Sequence, residues 1–492
     1  MSKEKNDELF DLIHTMTKAE KRYFKVFFSN HVIGDQNKYM ILYDYMARQE
    51  AFNWEKLERK FKGEKFIKHY SKTKGYLIDL ILKSLRRFGA GKDPKDLIIE
   101  KLRNVRILYN KSLFSQSDKL FKKLKKYCYD TEEFNLLLEV LEFEHWRAYD
   151  HSLIREHVST ERFEVLSKID NIFEFGLLYS RVLAIIIKED NWVDEERIKV
   201  VNEILDHPLT QNLEMAQSLT AQFSYNSIHS LVNHLNGNYD KTCYFQAISV
   251  DTYEAHPVLL KANYKAYLLT LGNLVTMYYN AQNFEEMHVN YQRLLKGHAF
   301  QKGYEHIKFE QRYMFAMLLT KIRKDYSQFD TQVKDFKTEL SQFKDSLTLI
   351  KETDIYFNIA IVYFERGMIN ESLDWVNSLL NHPNIEERQY LYIYTRAIDL
   401  LIHTELGNMN LATYKSDALY KYLRNHKKLD PFSKAVLSFV RAMSRHRDKY
   451  ERQSAYSKFR DELLTMDKSD YEKIANDQLD YLDWLNAKLE QY

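Results

Sequence analysis

Two segments of this chain carry the Glu-x-x-His spacing found in carboxylate-bridged metal centres: Glu142-Phe143-Glu144-His145 and Glu285-Glu286-Met287-His288. On a helix such a pair shares one face, and two pairs plus two further Glu hold a di-iron site inside a four-helix bundle. These two lie 143 residues apart, and stacked repeats touch mainly their neighbours. They read as surface helix residues, and no metal is expected. Gly91-Lys92 suggests a phosphate loop, but that loop needs a Gly five positions earlier and a Ser or Thr afterwards. Arg86 and Asp93 stand there instead. The sequence has no His-Glu-x-x-His zinc helix, no Gly-x-Ser-x-Gly elbow and no strand-linked Gly-x-Gly-x-x-G. Cys128 and Cys243 are too few for a thiolate metal site or a disulfide framework. The expectation is therefore no catalytic residues, no cofactor, and a chain that is not an enzyme.

The elements that would position any site are helices. The chain has 492 residues but only 12 Gly and 5 Pro, against roughly 34 and 25 at average usage of about 7% and 5%. A sheet-rich fold needs turn residues far more often. Turn signals recur near Ser112, Ser152, Trp192, Gly237, Gln282, Asp325, Gly367, Gly407 and Asp448, a mean period of 42. That period marks helical hairpins of two helices of about 16 residues each, which bury their apolar faces only by stacking. The predicted fold is all-α: an α-solenoid of about nine hairpins over residues 96–492, preceded by an N-terminal helical module over 1–90. The module's predicted helices are Asp7–Met16, Lys18–Ser29, Lys38–Gln49, Trp54–Phe61 and Lys65–Phe88. Thr17-Lys18-Ala19-Glu20 reads as a capping box. The Gly/Pro cluster Gly89-Ala90-Gly91-Lys92-Asp93-Pro94 marks the boundary.

The repeat from Thr353 to Glu386 is the clearest. Tyr356, Ile359, Ala360 and Tyr363 share one helix face, Gly367 ends that helix, and Ser372 is the small residue at the helix crossing. Val376 and Leu379 continue the second helix up to Pro383. In this layout the sequence resembles the tetratricopeptide (TPR-like) family, in size and polarity rather than in letters. The segment Val201–Pro208 matches Val376–Pro383 at five of eight positions. The resemblance implies a concave groove lined by the first helix of each repeat. Carried onto three repeats, its groove positions are Ser227, Leu231 and His234; Gly272, Thr276 and Tyr279; and Phe357, Ile361 and Phe364. The Lys and Asn of the family's carboxylate-clamp members are missing here, so an apolar or aromatic-anchored partner fits better than a chaperone tail. The whole chain also resembles Bacteroidota helical-repeat proteins that begin with the motif Thr17-Lys18-Ala19-Glu20-Lys21-Arg22-Tyr23-Phe24-Lys25, a resemblance that brings no activity with it.

Charge is uneven. Residues 1–126 hold 30 basic and 16 acidic side chains, a net +14 that residues 127–492 oppose with −12. A segment this basic attracts polyanions, and the same charge is also consistent with solvated helix faces or docking of the basic part onto the acidic part of the chain. The polyanion candidates are Lys65, Lys68, Lys72 and Lys74 after Trp54–Phe61, and Lys122, Lys123, Lys125 and Lys126. A helix-turn-helix reading of Trp54–Phe88 is weakened by Arg59, where a small residue is needed, and by the apolar run Leu77 to Leu85. The expected function is a protein-interaction scaffold or adaptor binding a protein or peptide in the groove. The alternative is a regulator or an RNA- or ribosome-associated factor that contacts nucleic acid through the basic quarter. Gram-positive peptide-sensing regulators offer that architecture, a helical head on a tetratricopeptide body. No apolar stretch is long enough to span a bilayer and the start is charged, so no membrane partner and a cytoplasmic location are expected.

Overall fold

A computed structural model describes residues 7–31, 37–89, 93–149, 151–187, 195–297, 303–343, 347–445, 448–466 and 481–491. All regular structure among them is helical, with no strand. The chain divides into two compact units, Met1–Asn171 and Ile172–Tyr492. The turn expected near Trp192, and residues 90–92 of the Gly/Pro cluster, lie outside the described residues.

In the first unit, residues 9–81 bury one core that includes Leu9, Phe24, Tyr43, Leu57, Leu77 and Ile81. The capping box is present: Glu20 N–H donates to Thr17 Oγ1 (3.2 Å), and Thr17 N–H donates to Glu20 Oε2 (2.8 Å). The helix predicted over Lys65–Phe88 is broken into Lys65–Lys68 and Tyr70–Gly89. At the break, His69 leaves helical geometry (φ −117°, ψ 38°), which lets Phe66 turn into the core. Two further helices, Pro94–Asn110 and Phe114–Asp130, pair as a hairpin about Ser112.

The second unit contains six described hairpins. Their first helices are Leu219–Leu235, Tyr264–Asn280, Glu305–Arg323, Leu349–Glu365, Gln389–Glu405 and Pro431–Arg445. Their second helices are Tyr239–Ala255, Phe284–Lys296, Phe329–Phe343, Ile369–Leu380, Met409–Asn425 and Lys449–Leu464. The first five turns each hold one left-handed residue: Gly237, Gln282, Lys324, Gly367 and Gly407, at φ between 50° and 75°. Four of these turns close with an amide reaching back five residues, as from Met368 to Tyr363 O and from Asn408 to His403 O (both 2.9 Å). The left-handed residue thus satisfies the helix's last carbonyls and reverses the chain, and its recurrence is the physical basis of the sequence period. The sixth hairpin instead starts its second helix at Asp448, whose carboxylate accepts from Glu451 N–H (2.8 Å).

A second expectation also fails. The period predicts a break midway between Ser152 and Trp192, yet Ser152–Ile187 is a single helix of 36 residues. That stretch has no Pro, and its one Gly, Gly176, sits inside the helix with ordinary φ. An isolated Gly costs about 1 kcal/mol in a helix, too little to end one this long.

Close approach within a hairpin relies on a small residue. Ser372 is fully buried and donates to Ala360 O (2.8 Å), twelve residues back across the turn. Ser117 does the same to Val105 O (2.9 Å) in the first unit, again across twelve residues. Ser372→Ala should cost about 0.5–1.5 kcal/mol, the worth of one neutral hydrogen bond. Ser372→Leu has no room and should cost about 1–3 kcal/mol through forced helix separation. Urea midpoints of the two variants test this; a leucine tolerated as well as alanine would contradict the close packing.

Candidate functional site

The first helices of the second unit are where the groove residues were expected, and they divide into two groups. Ser227, Leu231, His234, Thr276 and Tyr279 are half-buried. Leu231 and Tyr279 pack against core clusters, and Thr276 donates to Gly272 O (3.1 Å). Gly272 faces the next hairpin: a Cβ there would collide with the Gln311 amide, which donates to Leu268 O (3.0 Å). Phe357, Ile361 and Phe364 do not line an open groove. From Ile355 to Phe364 every residue except Asn358 is buried, because the helix Leu349–Glu365 is covered on all sides. The placement of those three is corrected: they are core residues.

Phe364 is covered by a helix outside the hairpin series. The C-terminal helix Tyr481–Glu490 places the Trp484 ring 5.6 Å from Phe364, 6.2 Å from Phe439 and 5.9 Å from Tyr456. Tyr481 packs 4.9 Å from Phe432. Asp483 pairs with Lys324, immediately after the helix Glu305–Arg323, and Lys488 pairs with Glu405 at the end of Gln389–Glu405. Glu405 also accepts from Tyr456 Oη (3.0 Å). This ten-residue helix packs chiefly on Lys449–Leu464, the second helix of the sixth hairpin, and from there Tyr481, Trp484 and Lys488 reach the first helices of three successive hairpins while Asp483 reaches the turn residue Lys324. Its buried face is Tyr481, Trp484, Leu485 and Lys488, the i, i+3, i+4, i+7 spacing by which amphipathic helices occupy grooves. Sequence reading missed this helix, although the same spacing was legible in it.

A second polar cluster is closed. Asp399 is 3% exposed and accepts from Lys415 Nζ at 2.9 and 2.7 Å. His403 Nε2 lies 2.9 Å from the same ammonium. The three residues join the helices Gln389–Glu405 and Met409–Asn425.

Burial holds the imidazoles of His229, His234 and His403 below the ordinary histidine range; at His229 a bond to Thr210 O opposes this, and at His403 the Asp399 carboxylate opposes it while Lys415 reinforces it. The His234 Nδ1 atom is buried without a hydrogen-bond partner. A lowered folded value means the unfolded chain takes up more protons as pH falls. The stability from burying neutral rings is complete above the unfolded value, about 6.5, and is lost as pH drops below it. The urea midpoint should therefore fall between pH 7.5 and pH 5.5, and His234→Phe should flatten the slope. Parallel slopes in variant and parent would remove His234 from this account.

In the first unit the basic candidates separate. Lys65, Lys68, Lys72, Lys122 and Lys123 are exposed. Lys74 pairs with Asp7 and Glu8, Lys126 pairs with Asp130, and Lys125 bridges Glu144 (2.8 Å) and Glu161 (2.6 Å). Lys125 is thus held within the fold, unlike its neighbours. His145, from the first Glu-x-x-His segment, contacts Arg155 and Ser159. No group of three or more His, Cys, Asp or Glu among the described residues could hold a metal ion.

No family model, curated protein or solved structure matches the chain. No helix among the described residues is long and apolar enough to cross a membrane.

Proposed function

We propose that this chain is a non-enzymatic interaction scaffold of the cytoplasm, with a TPR-like stack of helical hairpins that takes a protein or peptide on its first-helix side. The observation that carries this reading is the seating of Trp484 against Phe364 and Phe439. There the chain's own amphipathic helix meets Phe364 and Phe439 and pairs with Lys324 and Glu405, which supports a side that takes a helix with an aromatic anchor. Ser227, Leu231, Thr276 and Tyr279 are neutral, half-buried positions on the earlier first helices. Buried aromatic anchors dominate binding energy at such interfaces, with polar rims supplying specificity. The test is affinity isolation of the full-length chain from its host, with and without nuclease. A protein recovered through nuclease treatment, and lost on Leu231→Glu, is the expected result.

The exposed Lys65, Lys68 and Lys72 favour a second reading, in which the first unit contacts nucleic acid or the ribosome. Material recovered only without nuclease would select that reading. Its affinity for nucleic acid would fall steeply with added salt, by about 0.9 log units per phosphate contact for each tenfold rise. Lys68→Glu with Lys72→Glu would reduce that slope, whereas substitution of the ion-paired Lys125 would act through stability instead.

A further inference from the structure

The helix Ser152–Ile187 is apolar on two sides. On one side Val158, Val165, Phe175, Leu178 and Val182 are buried. The other carries Phe163, Leu166, Phe173 and Leu177, each between 46% and 74% exposed. Together with the exposed Asp170, Ser180 and Ala184 they step along the helix by 3, 4, 3, 4, 3 and 4 residues. That alternation is the seam of a two-stranded coiled coil. A helix apolar all round is ordinarily covered all round, and among the described residues this one is covered on one side.

We propose that the seam is the contact between two copies of this chain, which pair through the helix Ser152–Ile187 as a reversible dimer. A two-stranded coil needs a partner helix of the same spacing and length, and a second copy supplies both. Charge on and beside the seam balances, Asp170 and Glu174 against Arg162 and Arg181, so two identical faces meet without net repulsion. The seam from Phe163 to Ala184 is about 32 Å long at 1.5 Å per residue. Its two Phe side chains each expose roughly 100–150 Å². With the two Leu and the smaller positions, two copies would bury on the order of 1,000 Å², the lower edge of a specific interface. Area of that size gives a dimer that forms and dissociates with concentration. The proposal is separate from the scaffold reading, which uses the first helices of the later hairpins.

Sedimentation velocity on the full-length chain, from about 1 to about 100 µM, covers the range in which so small an interface dissociates. The parent should pass from monomer to dimer across it. Phe173→Glu with Leu177→Glu should stay monomeric throughout, with the parent's circular dichroism and urea midpoint, because both side chains are exposed. Asp170→Leu takes a charge off the seam and should lower the dissociation constant at least about tenfold, a gain that structural damage cannot imitate. Tyr450→Glu alters an aromatic residue exposed elsewhere and should dimerise as the parent does. Monomer at every concentration in both the parent and Asp170→Leu would overturn the proposal and leave the scaffold reading standing. A dimer that survives the double Glu change would place the contact elsewhere and overturn it as well. A monomeric parent whose co-isolated host protein is lost on Phe173→Glu would give the seam to that protein instead of a second copy.

Discussion

Phe364→Ala is expected to destabilise the second unit by about 3–5 kcal/mol, the usual cost of emptying a buried aromatic position. The side chain is 1% exposed, inside a helix whose surroundings are closed by neighbouring hairpins and by Trp484. Packing this dense relaxes only partly around a lost ring, so a cavity term adds to the transfer term. Phe364 also anchors the C-terminal helix, so the effect should not be confined to its own hairpin. A double-mutant cycle with Trp484→Ala should show a coupling of about 0.5–1.5 kcal/mol for the ring pair. Tyr450→Ala, at a position 83% exposed, should change stability by no more than about 0.5 kcal/mol. Urea unfolding of the three variants decides it: a loss at Phe364 as small as that at Tyr450 would place the ring outside the core.

That contrast also shows what the sequence discloses. Apolar spacing identifies Tyr356, Ile359, Ala360 and Tyr363 as one face, and all four are buried. It cannot tell a groove from a covered surface, because Phe357, Ile361 and Phe364 have the same composition in either setting. What covers them comes from neighbouring hairpins and, for Phe364, from Trp484 more than a hundred positions away. The turns were legible because a left-handed backbone selects Gly, as at Gly237, Gly367 and Gly407, while Ser112, Gln282 and Lys324 adopt it without that signal. The long helix Ser152–Ile187 was misread because periodicity was extended through a segment lacking a breaker. Lysine count alone did not separate Lys122 and Lys123, which face solvent, from Lys125, whose partners Glu144 and Glu161 lie 19 and 36 residues away. Charge pairing across helices is a tertiary fact, and a one-dimensional charge sum averages over it.

The same principle gives the second large effect. Lys415→Met removes the ammonium that neutralises Asp399 and leaves a carboxylate that is 3% exposed beside the neutral His403 ring. Stranding one partner of a buried pair costs about 3–5 kcal/mol near neutral pH. Asp399→Leu should cost less, because the Lys415 side chain is 27% exposed and its flexible stem can carry the charge to water. Replacing both residues with apolar ones should recover much of the loss, since a well-packed apolar pair often matches a buried ionic one. The pH dependence fixes the cause. In Lys415→Met, protonation of His403 in acid would place a replacement cation beside the Asp399 carboxylate. The deficit relative to the parent should therefore be smaller in acid and widen as pH rises toward 7. Urea midpoints of the two single variants and the double variant, taken from pH 4 to pH 7, read all of this. A deficit independent of pH would assign the Lys415 effect to lost packing rather than to an unpaired buried charge.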